Sequence, residues 1–334
     1  GPMNTIRTLK DYFVERYGTA VQRIPLDLGF SCPHRDSAGR GGCAFCADDG
    51  SRARHLHEGM TLEEQVSRGV EYVRTRYHAE PPYAAYFQAF TSTNAPADTL
   101  RNIFHRVLAQ AHFNTVIIAT RPDCLPPETV DVIAELTGSY DVWVELGVQT
   151  ANDATLDRIN RGHHFDAVRD AAVRLHERGI KVSAHVILGL PGETAKDHLR
   201  TARELAKLPF SGTKVHNLLV LKNTELERMY RNGDVTPLNE YEYASALALF
   251  LRELPENWIV MRLCADAPEE EIVAPKWWMT KSAFTEMFLQ MFASGEIAPD
   301  CMKAVRTEDG SYTWVFLEGK SLEDVSVTLS MKEP

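Results

Sequence analysis

The chain has no apolar run long enough to cross a bilayer, and no secretory signal opens it, so neither a membrane span nor export is expected. Cysteine is scarce. Six in 334 residues do not make a disulfide scaffold, and the expected compartment is the reducing cytoplasm. Positive charge is in deficit, with 36 Lys and Arg against 46 Asp and Glu and a net charge of −10. A globally basic nucleic-acid footprint is therefore absent, although Arg52, Arg54 and His55 make a local basic patch. No Gly-x-Gly-x-x-Gly follows the first predicted strand, and no Walker-type phosphate loop occurs, which argues against an open nucleotide-binding sheet. What remains is ordinary globular material, 44% hydrophobic and 25% charged, enough for one large barrel with an appendage or for two domains. Gly1 and Pro2, ahead of Met3, read as a tag remnant and are set aside.

Half of the few cysteines lie together. Cys43 and Cys46 are separated by two residues, and Cys32 stands across a polar, glycine-rich arm from Pro33 to Gly42. Soft thiolates at this density point to a metal or an iron–sulfur cluster. A closed structural site normally takes four protein ligands, whereas three thiolates on an iron–sulfur cluster leave one iron open. A zinc knuckle completed by His34 is the plainer alternative. Cys124, Cys264 and Cys301 are scattered and read as small buried hydrophobes.

The rest of the chain alternates. Val21 to Leu28 reads as a first strand running into the cysteine loop. Thr61 and Glu64 form a capping box, and Leu62, Val66, Val70, Val73 and Tyr77 follow helical spacing. Strands are then predicted at 84–90, 115–120, 141–149, 181–189 and 212–221, each followed by a helical pattern, with a last candidate at 258–263. Six such units predict an α/β fold, a partial (β/α)6-type parallel barrel spanning 3–265 with the cysteine loop at 29–50. Beyond it, 266–334 reads as a small C-terminal accessory region, an apolar helix through Phe284, Met287, Phe288 and Met291 followed by a hairpin around Asp309 and Gly310.

The strand period of two sorts side chains between the helix layer and the barrel interior. The inward set collects Asp27, Gln88, Glu145, Gln149, Ser183, His185, Lys214 and His216, where small barrels usually place branched apolar residues. Burying these groups without partners is costly, and a polar ligand inside the barrel removes that cost. The bland readings are hydrogen-bonded core histidines and a structural Glu145–Lys214 pair.

The motifs resemble those of radical S-adenosylmethionine (SAM) enzymes. Cys32, Cys43 and Cys46, with Phe45 before the last cysteine, look like the cluster loop of that superfamily, with an arm longer than its commonest form. The long arm is found in the branch containing the Elongator catalytic subunit. Further matches are Thr120-Arg121-Pro122-Asp123, Glu145 to Thr150, Ile159 to His163, and His185 to Thr194. Together they cover roughly Val21 to Leu221. A bacterial subgroup of small radical SAM proteins is similar as well, through Cys32-Pro33-His34-Arg35-Asp36, Tyr86 to Thr93, and Ala274-Pro275-Lys276-Trp277. No stretch resembles the Elongator acetyltransferase domain, so wobble-uridine chemistry is not carried over.

The resemblance implies a [4Fe–4S] cluster on Cys32, Cys43 and Cys46, with SAM chelated to the open iron. It implies reductive cleavage to methionine and a 5′-deoxyadenosyl radical that takes hydrogen from a substrate, with a flavodoxin- or ferredoxin-type reductant. By the same resemblance Gln88, Thr91, Ser92 and Thr93 lie near the methionine amino group, in a segment without the family's glycine-glycine-glutamate form. Glu145, Gln149 and Arg161 face the ribose and carboxylate. Gly189 and Glu193 lie along the adenine, with Leu219 to Leu221 bonding it through backbone. Arg121 and Asp123 serve SAM or substrate. His185, Lys214 and His216 are the substrate-side, catalytic candidates. A modified RNA base, a small metabolite and a peptide are the substrate classes considered. A non-catalytic iron–sulfur regulator and a zinc-binding interaction protein are the alternatives of another class.

Overall fold

The computed structural model describes residues 1–29, 59–88, 93–296 and 298, and in the last stretch 302–306, 308 and 312–316. Its elements in chain order are β1 (Arg7–Thr8), α1 (Leu9–Tyr17), β2 (Arg23–Asp27), α2 (Leu62–Tyr77), β3 (Tyr83–Gln88), α3 (Ala97–Leu108), β4 (Phe113–Thr120), α4 (Pro127–Glu135) and β5 (Asp141–Gln149). There follow α5 (Asp153–Arg158), α6 (Phe165–Glu177), β6 (Lys181–Leu188), α7 (Ala195–Ala206), β7 (Gly212–Asn217), β8 (Val220–Leu221), α8 (Glu225–Arg231), α9 (Glu240–Arg252) and β9 (Ile259–Arg262). The C-terminal part holds β10 (Ile272–Ala274), α10 (Lys281–Ala293), β11 (Met302–Arg306) and β12 (Tyr312–Phe316).

Eight strands form one parallel sheet in the order β1-β9-β7-β6-β5-β4-β3-β2, a curled half-barrel whose edge strands are β1 and β2. The six predicted strands are all in it. The candidate at 258–263 is β9, and the two-residue β1 was too short to leave a period-two signal. The strand predicted at 212–221 is divided. Its end, β8, pairs antiparallel with β10 and so ties the chain after Ala265 back to the barrel.

The alternation predicted from sequence places the apolar side chains. Ile24, Leu26, Phe87, Ile118, Val144, Leu146 and Val182 point outward, against Val66, Phe104, Ile133, Val168 and Leu205 of the helices. Phe87 and Phe104 meet edge to face, 5.1 Å between centroids. Each such buried side chain contributes about 1.5–3 kcal/mol. Helix α2 comes so close to β2 that a Cβ on Gly69 would lie 2.6 Å from Cγ2 of Ile24.

A second apolar layer lies inside, at the N-terminal end of the strands. Tyr12 and Phe13 of α1 pack there with Ala84, Tyr86, Ile117, Trp143 and Ile259. Helix α1 starts with a reciprocal capping box between Thr8 and Asp11. Its Tyr12 hydroxyl donates to Asp141, the first residue of β5, and Asp141 also takes Lys181 Nζ of β6 at 2.7 Å. The helix therefore stoppers the barrel at the end away from the strand C-termini.

In the C-terminal part, Trp277, Phe284 and Tyr243 of α9 pack as a tilted aromatic trio, with ring centroids 5.0–5.7 Å apart. β11 pairs antiparallel with β12 from Met302–Phe316 to Arg306–Tyr312.

Candidate active site

Above the apolar stopper the interior becomes polar. Tyr86 of β3 donates its hydroxyl to Glu145 Oε1 of β5 at 2.8 Å, and Lys214 Nζ of β7 lies 3.0 Å from the same oxygen and 3.1 Å from the phenol. All three are buried. Burial alone would raise the Glu145 carboxyl. The Lys214 ammonium, His185 and the two hydrogen bonds outweigh it and hold the carboxyl at about 2. Burial likewise opposes the Lys214 charge, and Glu145 and Tyr86 hold it above its ordinary value. The pair is therefore ionised.

One step nearer the strand C-termini, His185 Nε2 of β6 meets His216 Nδ1 of β7 at 3.0 Å, with the rings at 79°. Burial, then Lys214, keeps His185 down at about 3. Burial, then His185 and Lys214, takes His216 well below 6.5. Two neutral imidazoles sharing one hydrogen bond leave an outward-facing nitrogen, and His216 Nε2 is buried without a partner. Ser183 Oγ, two residues before His185 on the same face, is also unpartnered.

Strand β5 ends in an unusual backbone. Its register against β6 shifts between Gly147 and Gln149, and Gln149 has φ 68°. A left-handed, non-glycine residue at a strand end is a sparsely populated state that such sites tolerate. The Gln149 side chain is buried, and its Oε1 has no partner. Arg161, after α5, reaches back and donates from Nη2 to the Gly147 carbonyl at 2.9 Å and from Nε to His163 Nε2 at 3.0 Å. A Cβ at position 147 would sit 2.3 Å from Arg161 Nη2, so only glycine leaves room for this approach. Arg121 forks Asp123 and donates to the Arg161 carbonyl, bracing that segment from behind.

The structure thus brings Glu145, His185, Lys214 and His216 into one cluster, with Gln149, Arg161 and the positive-φ Gly189 at the strand ends around it. Gln88 ends β3, half-buried, its backbone paired with Asp27. Other predicted residues lie elsewhere. Thr93 Oγ1 is bound to Thr120 Oγ1 and the Cys124 carbonyl, a latch between two loops. Glu193 Oε2 accepts from Thr150 at 2.7 Å and Thr155 at 3.0 Å, away from the cluster, and burial raises its carboxyl to about 7. Leu219 is half-buried, and the Leu221 carbonyl takes the Thr224 hydroxyl. Cys32, Cys43, Cys46, Thr91 and Ser92 lie outside the described residues. Among the described residues no group of three His, Cys, Asp or Glu could hold a metal ion. Sequence reasoning missed Tyr86. It opens the Tyr86 to Thr93 match and stands two residues before Gln88 on the same strand face, yet it was not singled out as a site residue.

The family model "Radical SAM superfamily" matches residues 31–205, a stretch that begins one residue before Cys32 and ends in α7. This chain belongs to the radical SAM superfamily. A second model, the radical SAM C-terminal domain, matches residues 210–292, from the threshold of β7 to α10. Membership makes the protein an enzyme, of a superfamily that uses SAM and a [4Fe–4S] cluster and needs a reductant and a substrate. Among related proteins, an uncharacterized Methanocaldococcus jannaschii protein is 36% identical over 272 residues, 80% of this chain and 83% of its own length. Escherichia coli K12 YhcC is also 36% identical, over 78% of this chain and 84% of its own. The tRNA uridine(34) acetyltransferase of M. jannaschii matches a shorter stretch, 29% identical over 160 residues, 47% of this radical SAM chain and 29% of that one. Among solved structures, archaeal Methanocaldococcus infernus Elp3 shares the fold, with TM-score 0.67 and 18% identity over 87% of this chain and 72% of that chain. No helix among the described residues is long and apolar enough to cross a membrane.

Proposed function

We propose that this radical SAM enzyme holds its [4Fe–4S] cluster on Cys32, Cys43 and Cys46, binds SAM at the C-terminal ends of β5 and β6, and acts on a base of an RNA substrate seated over the His185–His216 pair. The observation that carries the reading is the set of three buried, unpartnered polar atoms on the inner face, Gln149 Oε1, Ser183 Oγ and His216 Nε2. Left without partners, such atoms each cost about 1–3 kcal/mol, so an inner face that keeps three of them is arranged for polar ligands.

The residues fit SAM. Gln149 Oε1 is a free acceptor for an ammonium or a ribose hydroxyl, and the Arg161 guanidinium is a cation at the same strand end. Gly189, just past β6, has φ 92°, a left-handed turn that suits glycine, and Leu238 fills the space a side chain there would take. When bound, cluster and SAM supply one-electron cleavage and a carbon-centred radical that takes hydrogen from the substrate. The chain's own part is different. Arg161 is fixed by Gly147 and His163, so it presents its charge without reorganising. The neutral histidine pair presents a hydrogen-bonding nitrogen to a neutral polar edge. The Glu145–Lys214–Tyr86 triad beneath it supplies a buried, charge-balanced floor, and α1 packs across the end below it. The RNA reading draws on the similarity to tRNA uridine(34) acetyltransferase and to archaeosine synthase subunit beta, 26% identical over 167 residues.

Anaerobic protein incubated with SAM and dithionite should form 5′-deoxyadenosine. Cys43→Ala should abolish both the brown colour and this product. Turnover in the Cys43→Ala protein would refute the cluster assignment. A transfer-RNA pool that gains no new nucleoside mass on incubation with the active enzyme would refute the RNA base as substrate.

A further inference from the structure

Among the described residues the sheet does not close between its edge strands β1 and β2, and cationic side chains gather beside that gap in an otherwise acidic chain. Strand β1 pairs only with Ile259 and Val260, so β9 runs on past it to Arg262. A register shift sets Arg262 opposite the inward-facing Lys214. Across the gap, edge strand β2 starts with Arg23, whose guanidinium lies 5.4 Å from the centroid of the Tyr86 ring, the ring that Lys214 Nζ approaches at 5.7 Å. Lys281 stands at the first position of α10, and its charge interacts with both Arg262 and Arg23.

These four cations make two ion pairs with described residues. Glu145 is consumed by Lys214, and Asp266 reaches Lys281 at 3.9 Å with both groups about half exposed. Arg23 and Arg262 have no ion pair with any described residue. Lys281 is moreover at the wrong end of its helix. The first turn of α10 has no acidic side chain, and a cation there opposes the helix dipole. Like charges gathered beside a helix N-terminus without compensation disfavour the fold on their own. They become favourable when an anion joins them, and guanidinium groups match the oxygens of phosphate. Further inside, on β6 and β7, are the unpartnered Ser183 Oγ and His216 Nε2.

We propose that the mouth at this gap is a phosphate site, in which Arg23, Arg262 and Lys281 hold a phosphate of a nucleotide substrate while its base faces His216 and Ser183. The proposal rests on the reading of this enzyme as acting on a nucleobase. A phosphate could come from a free nucleotide or from the phosphodiester of an RNA chain, and the test separates the two.

The test uses the anaerobic, cluster-loaded full chain. Binding of each of the four ribonucleosides is compared with that of its 5′-monophosphate and of a labelled short oligonucleotide of the same base, by calorimetry or anisotropy. For at least one base the phosphate should tighten binding about tenfold or more, as expected for a charge-assisted fork. In the Arg262→Gln, Lys281→Gln double variant that gain should vanish, and in Arg262→Lys, which keeps the charge, most of it should remain. For the oligonucleotide the slope of log Kd against log salt should fall by about one for each phosphate contact removed. A mouth-dependent gain for the monophosphate alone identifies a free nucleotide, and one for the oligonucleotide alone identifies an RNA chain. Nucleosides and nucleotides binding alike in the unmodified enzyme, or a phosphate gain that survives in the double variant, would overturn the proposal. Because binding needs no turnover, either result stands apart from the 5′-deoxyadenosine measurement that tests the underlying reading.

Discussion

Lys214 and Glu145 each make the other's charge tolerable in a buried place, so the two should be inseparable in mutagenesis. Lys214→Met leaves a lone carboxylate under the histidine pair and should cost about 3–5 kcal/mol, seen as a lowered urea midpoint. Adding Glu145→Leu should recover most of that loss, because an apolar pair of similar volume replaces an ion pair, while activity stays low in both. If the single variant unfolds like the parent, the triad is not the floor described here. At the strand end, Gly147→Ala should displace the Arg161 guanidinium and weaken SAM binding about tenfold or more, with only about 1 kcal/mol lost from stability. Equal SAM affinity in the variant would separate Arg161 from the cofactor. Much of this cluster was legible in the sequence, since Glu145, Ser183, His185, Lys214 and His216 follow a period of two along three neighbouring strands. Two things were not. Whether Arg161 is an open fork or a braced one depends on a carbonyl fourteen residues away. The inward turn of Arg262 comes from a register shift, which no side-chain pattern encodes.

The long strands were legible because their outer faces are continuous apolar runs against helices, and the helices because their apolar residues recur at helical spacing, with the Thr61 cap marking the start of α2. Helix α1 escaped prediction because its buried face is short, only Tyr12 and Phe13, and it packs on the end of the barrel rather than along a strand. Packing and propensity conflict at Gly69 in α2. Propensity alone favours alanine there by about 1 kcal/mol. The Ile24 contact predicts the reverse, so Gly69→Ala should lower the melting temperature, and the same change should cost less in an Ile24→Ala background than in the parent. A Gly69→Ala protein more stable than the parent would show that α2 can slide on β2.

For the whole molecule, acid sensitivity should begin nearer pH 6.5 than the carboxylate range. His163, His185 and His198 are held, chiefly by burial, at about 4, 3 and 4. The unfolded chain takes up protons near 6.5 that the folded one refuses, so their contribution is complete above that pH and drains away as pH falls toward about 4. Glu145, depressed to about 2, adds its own loss between about 4.5 and 2, whereas Glu193, raised to about 7, opposes the trend between 4.5 and 7. Thermal unfolding between pH 7 and 5 should show a falling midpoint, and the fall should be shallower in His198→Gln, which removes one buried imidazole. A midpoint independent of pH over that range would contradict this account. The same molecule is closed at one end by a single nine-residue helix. That stopper touches no predicted cofactor residue among the described ones, yet the reading above makes it the guard of coupling. Loosening it with Tyr12→Ala should leave SAM cleavage running while less of it ends in product, so the enzyme would become wasteful before it became slow, with the ratio of 5′-deoxyadenosine to modified substrate as the gauge of leakage through its floor.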